Sequence, residues 1–354
     1  MNLILISRKK LYQISWLDLC QALTGNTSHA IFILFADSLY LHLFGEYTMI
    51  FVSNIAFCGT VYFLLFLLLV IGLKANPCSG ASSLLSRFNS LRGIFAIEII
   101  LGHVIREDKT LLFPLGKIMI ISVAFFFFVS AFGLSQSFHA NKHYLDGFIR
   151  RKCGYLIYLI LLIFLFNTVI AYFSPVETPY FPIKDAFVLH IFSVTNWYLI
   201  ELLFFYLLFY CVYKYWYAHR YPIIIAVTAA GVVIAFYAGL QEHWYASALT
   251  FPLGLIFMEN YECCSRFLSS PRGYLTVFVS TCLGMCSLLF GNTSLIGMVI
   301  LRNLMCISAI LLLAIILIHF EVSNPLLKYL TRYSTELYLC QFVFLRITEN
   351  AVSS

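Results

Sequence analysis

Apolar positions along this chain come in long unbroken blocks, separated by short polar punctuation. The blocks cover roughly 48–73, 88–105, 113–138, 153–173, 197–216, 221–240, 245–260, 271–291, 303–320 and 336–349. A continuous apolar run of about 20 residues has the length of a helix that crosses a bilayer. A membrane barrel would instead alternate lipid-facing and lumen-facing residues, so strands are not expected. The last block is short for a full crossing. A weaker block at 29–46 is interrupted by Asp37 and His42. It reads equally as a further span, an interfacial helix or a re-entrant piece. Residues 181–195, FPIKDAFVLHIFSVT, form a similar half-apolar segment. There is no internal repeat or low-complexity tract, and loops of about 15–25 residues are too short for an independent fold. The expected fold class is all-α, a polytopic transmembrane helical bundle of about 10–11 spans. Residues 1–80 are expected to form an N-terminal extension with one or two membrane segments, and 81–354 the main transmembrane domain.

Composition agrees with that pattern. The chain has 354 residues, 62% hydrophobic and only 11% charged, too few charges to cover a soluble surface. Its net charge of +6 bears first on topology and gives no reason to expect nucleic acid. With the 74–92 loop placed inside and sides alternating from there, inside loops hold thirteen of the 22 Lys and Arg, and the opposite side six. Arg8, Lys9 and Lys10 join the inside only if 29–46 also crosses, which makes sixteen against six and favours eleven crossings. No cleavable signal peptide is expected, because Tyr12 to Asn26 is too polar for its apolar region. The eleven cysteines lie mostly inside apolar runs without a metal-ligand spacing. They read as small buried hydrophobes, with no metal expected.

One block carries more charge than lipid tolerates. RFNSLRGIFAIEIILGHVIRED, from Arg87 to Asp108, holds Arg92, Glu98 and His103. Ionisable residues within a membrane segment are functional candidates by default. Arg92 and His103 are eleven residues apart, which puts them on one helix face about 16 Å apart along the axis. Glu98 points about 120° away from Arg92 and needs a partner on another helix or a proton. Arg92 is expected near the cytoplasmic end of the span, where it would reach head groups or an anionic ligand, and it also reads as a snorkelling anchor.

The order of neighbouring motifs adds a family. NSLRGIFAIEIILGH resembles the first core helix of the acyltransferase-3 family of membrane acyltransferases, in which ten residues separate an arginine from a histidine. FFFFVSAFGLSQSF (125–138) resembles the family's FFFxSGxxL helix, with Ala131 where glycine is usual. YLDGFIRRKCGYLIYL (144–159) is similar to its phenylalanine and basic cluster. NWYLIELLFFYLLFY (196–210), WYASALTFPLGLIF (244–257) and NPLLKYLTRYSTELYLCQFVF (324–344) resemble the later helices in family order. The chain departs from the pattern at Lys152, a point charge where the second arginine of a clamp is usual. It departs again at Gln341, where the last helix usually has histidine.

The resemblance implies transfer of an acyl group, usually acetyl, from cytoplasmic acyl-CoA to a hydroxyl of a cell-surface glycan or its lipid-linked precursor. It also implies a multi-pass protein of a bacterial plasma membrane, in contact with membrane lipid. His103 is then the expected catalytic base, with Arg92 and Glu98 beside it. Arg87, Arg150, Arg151 and Lys152 are the expected contacts to CoA phosphates, since arginine forks suit phosphate. Asn196, Trp197 and Glu201 are the expected acceptor contacts, at the outer mouth of the bundle. Glu201 reads equally as the structural partner of Arg302. Two other readings remain: a transporter or flippase for a glycan or lipid-linked precursor, which would show repeats and interrupted helices, and a non-catalytic member of the family.

Overall fold

The computed structural model describes residues 50–106, 113–173, 197–289, 296–335 and 337. The chain divides into two compact units, Met1–Thr60 and Val61–Ser354, and everything discussed below belongs to the second. Among the described residues there are twelve α-helices. In chain order these are α1 (Ile50–Ile71), α2 (Ala81–Ser90), α3 (Arg92–Arg106), α4 (Phe113–Ala140), α5 (Gly154–Phe173) and α6 (Trp197–Tyr215). They continue with α7 (Arg220–Tyr237), α8 (Thr250–Glu259), α9 (Tyr261–Leu268), α10 (Pro271–Leu289), α11 (Ile296–His319) and α12 (Pro325–Arg332). Four described stretches are long and apolar enough to cross a membrane: Ile118–Ala140, Trp197–Tyr215, Tyr217–Tyr237 and Ile296–His319. The runs 29–46 and 181–195, and nearly all of 336–349, lie outside the described residues.

The α4 helix is the axis of the bundle. Its four consecutive phenylalanines, Phe125 to Phe128, are all buried. Consecutive helical residues point about 100° apart, so burying all four requires neighbours on every side. Phe125 stacks on Phe95 of α3 at 3.9 Å, Phe127 meets Tyr198 and Phe205 of α6 at 5.1 and 5.3 Å, and Phe128 meets Phe257 of α8 at 5.7 Å. Small residues set the closest approach. A Cβ on Gly254 of α8 would meet the Phe128 carbonyl oxygen and lie 2.8 Å from the Ala131 Cβ. Ala131 and Gly254 therefore share one narrow contact between α4 and α8.

Two apolar runs read as single spans are not single helices. The 88–105 run is broken between α2 and α3 at Leu91. The cause is a diverted carbonyl: Ser90 O accepts from Thr331 Oγ1 at 2.7 Å, while the Ile94 amide bonds Leu91 O at 3.0 Å. Ser90 Oγ also donates back to Arg87 O at 2.7 Å, a competitor to the helical ladder. The 245–260 run follows a 3₁₀ turn, Glu242–Trp244, and holds only the ten-residue α8, which rises only about 15 Å. Pro252 fits there because the first turn of a helix has no acceptors for its amides.

The expectation of no strands holds for the spans but misses a small ladder. Strands β1 (Leu73–Ala75) and β2 (Phe320–Val322) pair antiparallel, with Leu73 opposite Val322 and Ala75 opposite Phe320. Next to it, the exposed carbonyls at the end of α11 are taken up one by one. Asn76 N donates to His319 O at 3.1 Å and Cys78 N to Ile318 O at 2.7 Å. Arg87 completes the set, donating to Leu317 O at 2.8 Å, Asn76 O at 2.7 Å, Phe320 O at 3.2 Å and Pro77 O at 3.4 Å. A helix end buried without such partners would be costly.

Two predictions follow from this packing. Arg87→Lys should lower stability by about 1–3 kcal/mol, since one ammonium cannot bridge carbonyls from three segments. A thermal melt of the detergent-solubilised protein checks it, and an unchanged midpoint removes the clasp. Gly254→Leu should be worse than Gly254→Ala, and Gly254→Ala should itself cost about 1–3 kcal/mol by overpacking against Ala131. The same melt reads both.

Candidate functional site

The α3 helix carries the three ionisable residues singled out by the sequence. Arg92 opens it and His103 lies one turn before its end, so one continuous helix holds both. At 1.5 Å per residue their eleven-residue spacing is about 16 Å. His103 is half-buried beside Gly102, whose close contact is Met119 of α4. Glu98 is buried, and the required partner comes from α1: the Tyr62 hydroxyl donates to its Oε1 at 3.0 Å.

The Arg92 guanidinium carbon lies 5.9 Å from the centroid of the buried Phe126 ring. Phe126 sits well inside the apolar stretch Ile118–Ala140, so Arg92 packs against the interior part of α4. Arg92 Nε is buried without a hydrogen-bond partner. Its neighbours are hydroxyls: Tyr198 and Tyr206 of α6 both lie near it and both approach Ser130 of α4. None of the three was singled out by the sequence, although Tyr198 and Tyr206 sit two turns apart on one face of α6.

The basic cluster occupies an unusual turn. Ile149–Cys153 is a π-helical turn leading into α5, a widened turn often found at functional sites. Arg150, Arg151 and Lys152 are all exposed on it. Arg151 Nη2 donates to Tyr144 O at 2.9 Å. Phe148, fully buried, pins the turn by packing on Tyr206, Phe209 and Tyr210 at 5.7–6.1 Å. Burial pushes the Tyr144 phenol up, against a Ser137 hydrogen bond and the nearby Arg151 charge, so it is protonated at neutral pH. Tyr206 lies near Tyr144 and Cys153 and also near Arg92. Arg87 does not join this group, because its guanidinium is engaged by the carbonyls of Asn76, Pro77, Leu317 and Phe320.

The third expected group is divided. Asn196 lies outside the described residues. Trp197 is 7% exposed, with the His243 ring 4.6 Å away and the Trp244 ring 6.2 Å away. It is enclosed by these neighbours. Glu201 is also 7% exposed, and its Oε2 has no hydrogen-bond partner. The structural alternative for Glu201 fails, since Arg302 forms its ion pair with Glu242. Nothing local in the sequence connects those two residues.

At the basic end of the bundle a second buried carboxylate is fully satisfied. Glu259 accepts from the hydroxyls of Tyr213 and Tyr221, from Arg220 Nε at 2.8 Å and from Ser135 Oγ at 3.3 Å. His139 Nε2 is 3.5 Å away. This node ties α4, α6, α7 and α8 together. Against it, Arg92 and Glu201 stand out as interior groups with unpaired atoms.

The arrangement thus offers a half-buried cation among hydroxyls, an exposed basic turn, and an imidazole three turns further along α3. That combination suits an anionic, elongated ligand and proton transfer at one end of it. No curated protein and no solved structure matches the chain. A family model described as "Acyltransferase domain" matches residues 85–354, which takes in α3, the π-turn, α6 and α8. The chain belongs to the acyltransferase-3 family and is a membrane acyltransferase.

Proposed function

We propose that the protein transfers an acetyl or other acyl group from cytoplasmic acyl-CoA to a hydroxyl of a cell-surface glycan or its lipid-linked precursor, in a bacterial plasma membrane. The observation that carries this reading is Arg92, a guanidinium inside an apolar bundle with an unpaired Nε and no carboxylate bonded to it among the described residues. An uncompensated charge is costly in low dielectric, so an anionic ligand at this depth is favoured. The exposed turn of Arg150, Arg151 and Lys152 supplies a first landing point for phosphates. Tyr206 is near both Cys153 of that turn and Arg92.

In this reading the thioester lies toward His103. The neutral imidazole takes the proton of the acceptor hydroxyl as its oxygen attacks the thioester carbonyl. The tetrahedral intermediate collapses with cleavage of the carbon–sulfur bond. The imidazolium returns its proton to the departing thiolate, giving the acyl ester and free CoA. Glu98, held by Tyr62, positions α3 and does not touch the reacting atoms.

His103→Ala should reduce acyl transfer by about 10²-fold or more, the usual share of a general base, with normal amounts of protein in the membrane. Radiolabelled acetyl-CoA supplied to membranes reads the transfer, and near-normal activity removes His103 from catalysis. Replacing Arg150, Arg151 and Lys152 together by alanine should raise KM for acetyl-CoA about tenfold, corresponding to about 1.4 kcal/mol of binding. The wild-type KM should rise with salt while that of the triple variant moves less. Equal salt dependence in both would argue against phosphate docking there.

A further inference from the structure

We infer that the turn Glu242–Trp244 is an acceptor-recognition element that selects a neutral, hydroxyl-rich ring over an acidic one. The acyl-transfer reading identifies what is bound here as the acceptor; the binding itself is a separate question.

The turn is fastened at both ends by consecutive residues of α11. Arg302 pairs with Glu242. Asn303 Nδ2 donates to Tyr245 O at 2.8 Å, and Asn303 Oδ1 accepts from Leu249 N at 3.2 Å. A binding element held this way loses little entropy when a ligand arrives. What it holds in place is aromatic. The His243 and Trp244 ring centroids are 6.2 Å apart, and each lies within 6.2 Å of Trp197. Trp197 is the enclosed backing of this trio, whereas Trp244 keeps part of its surface open.

One turn along α6 from Trp197, on the same face, lies Glu201. It is more than nine-tenths buried, with an oxygen that no described group bonds. Glu242 is paired with Arg302, so Glu201 is the carboxyl beside the trio that no cation holds. A buried carboxyl with an unbonded oxygen can hydrogen-bond adjacent sugar hydroxyls, and an aromatic face takes the apolar C–H side of the same ring. An acidic sugar would bring a charge into an enclosed site whose neighbouring cation is already paired, and burying that charge uncompensated is costly. Neutral pyranose rings therefore fit, and uronic acids do not.

The test uses the full chain in detergent, without donor, and follows its own fluorescence. Two of the four tryptophans, Trp197 and Trp244, belong to this group. Methyl β-glucopyranoside should give a saturable change, and the corresponding methyl glucuronide should bind at least tenfold more weakly. Trp244→Ala should abolish the change. Glu201→Gln, which keeps the side chain's shape, should weaken the neutral glycoside at least fivefold and narrow the gap to the glucuronide. Trp216→Phe, just past the C-terminal end of α6, should leave the change in place. The inference is overturned if wild type shows no saturable change, if Trp244→Ala and Glu201→Gln respond like wild type, or if the glucuronide binds equally well. Acetyl transfer from acetyl-CoA is measured in parallel. A wild type that binds the glycoside but transfers nothing overturns the proposed function and leaves this inference standing.

Discussion

Charge inside an apolar bundle is tolerated only where something answers it, and that constraint orders this molecule. Arg87 is answered by four carbonyls at the end of α11 and its neighbouring strand. Glu259 is answered by two tyrosines, an arginine and a serine. Arg302 is answered by Glu242 and Glu98 by Tyr62. These groups come from distant parts of the chain, so each answered charge also fixes the relative placement of helices. Arg92 and Glu201 keep unpaired atoms and, unlike Arg302 and Glu242, have no opposite charge bonded to them among the described residues. Those two groups are where a ligand has something to add.

The depth of Arg92 is a packing result. The phenylalanine column of α4 is enclosed by α3, α6 and α8, with Gly254 and Ala131 allowing α8 to close in. Tyr198 of α6 comes to the level of Phe126 and Phe127 in the same way. The break at Leu91 then starts α3 at that level. An unbroken helix through 88–105 would change the direction of the chain around Arg92, and with it the direction in which the guanidinium points.

Local periodicity made part of this legible in advance. Arg92 and His103 share a helix because eleven residues close three turns, and nothing distant is needed to know it. The exposed basic turn and the helical class were readable for the same reason. The break at Leu91 was not, because its cause is Thr331, 241 positions away. Arg87 was assigned to phosphates since an arginine beside a span reads as an anchor or an anion contact, while its true acceptors arrive from Leu317 and Phe320. The pairing of Arg302 was open between Glu201 and another carboxylate. Only the folded chain brings Glu242 to it.

The Arg302 pairing has the widest consequence. Had Arg302 met Glu201, both groups would be structural, and α6 would present an apolar interior with a satisfied pair. Because Glu242 takes that arginine, the turn after α7 is fixed in place and Glu201 is left without a cation. One ion pair thus does two things: it fixes the turn that carries His243 and Trp244 beside Trp197, and it leaves the Glu201 carboxyl on α6 without a cation. A bundle with the alternative pairing would leave no unbonded carboxyl oxygen there.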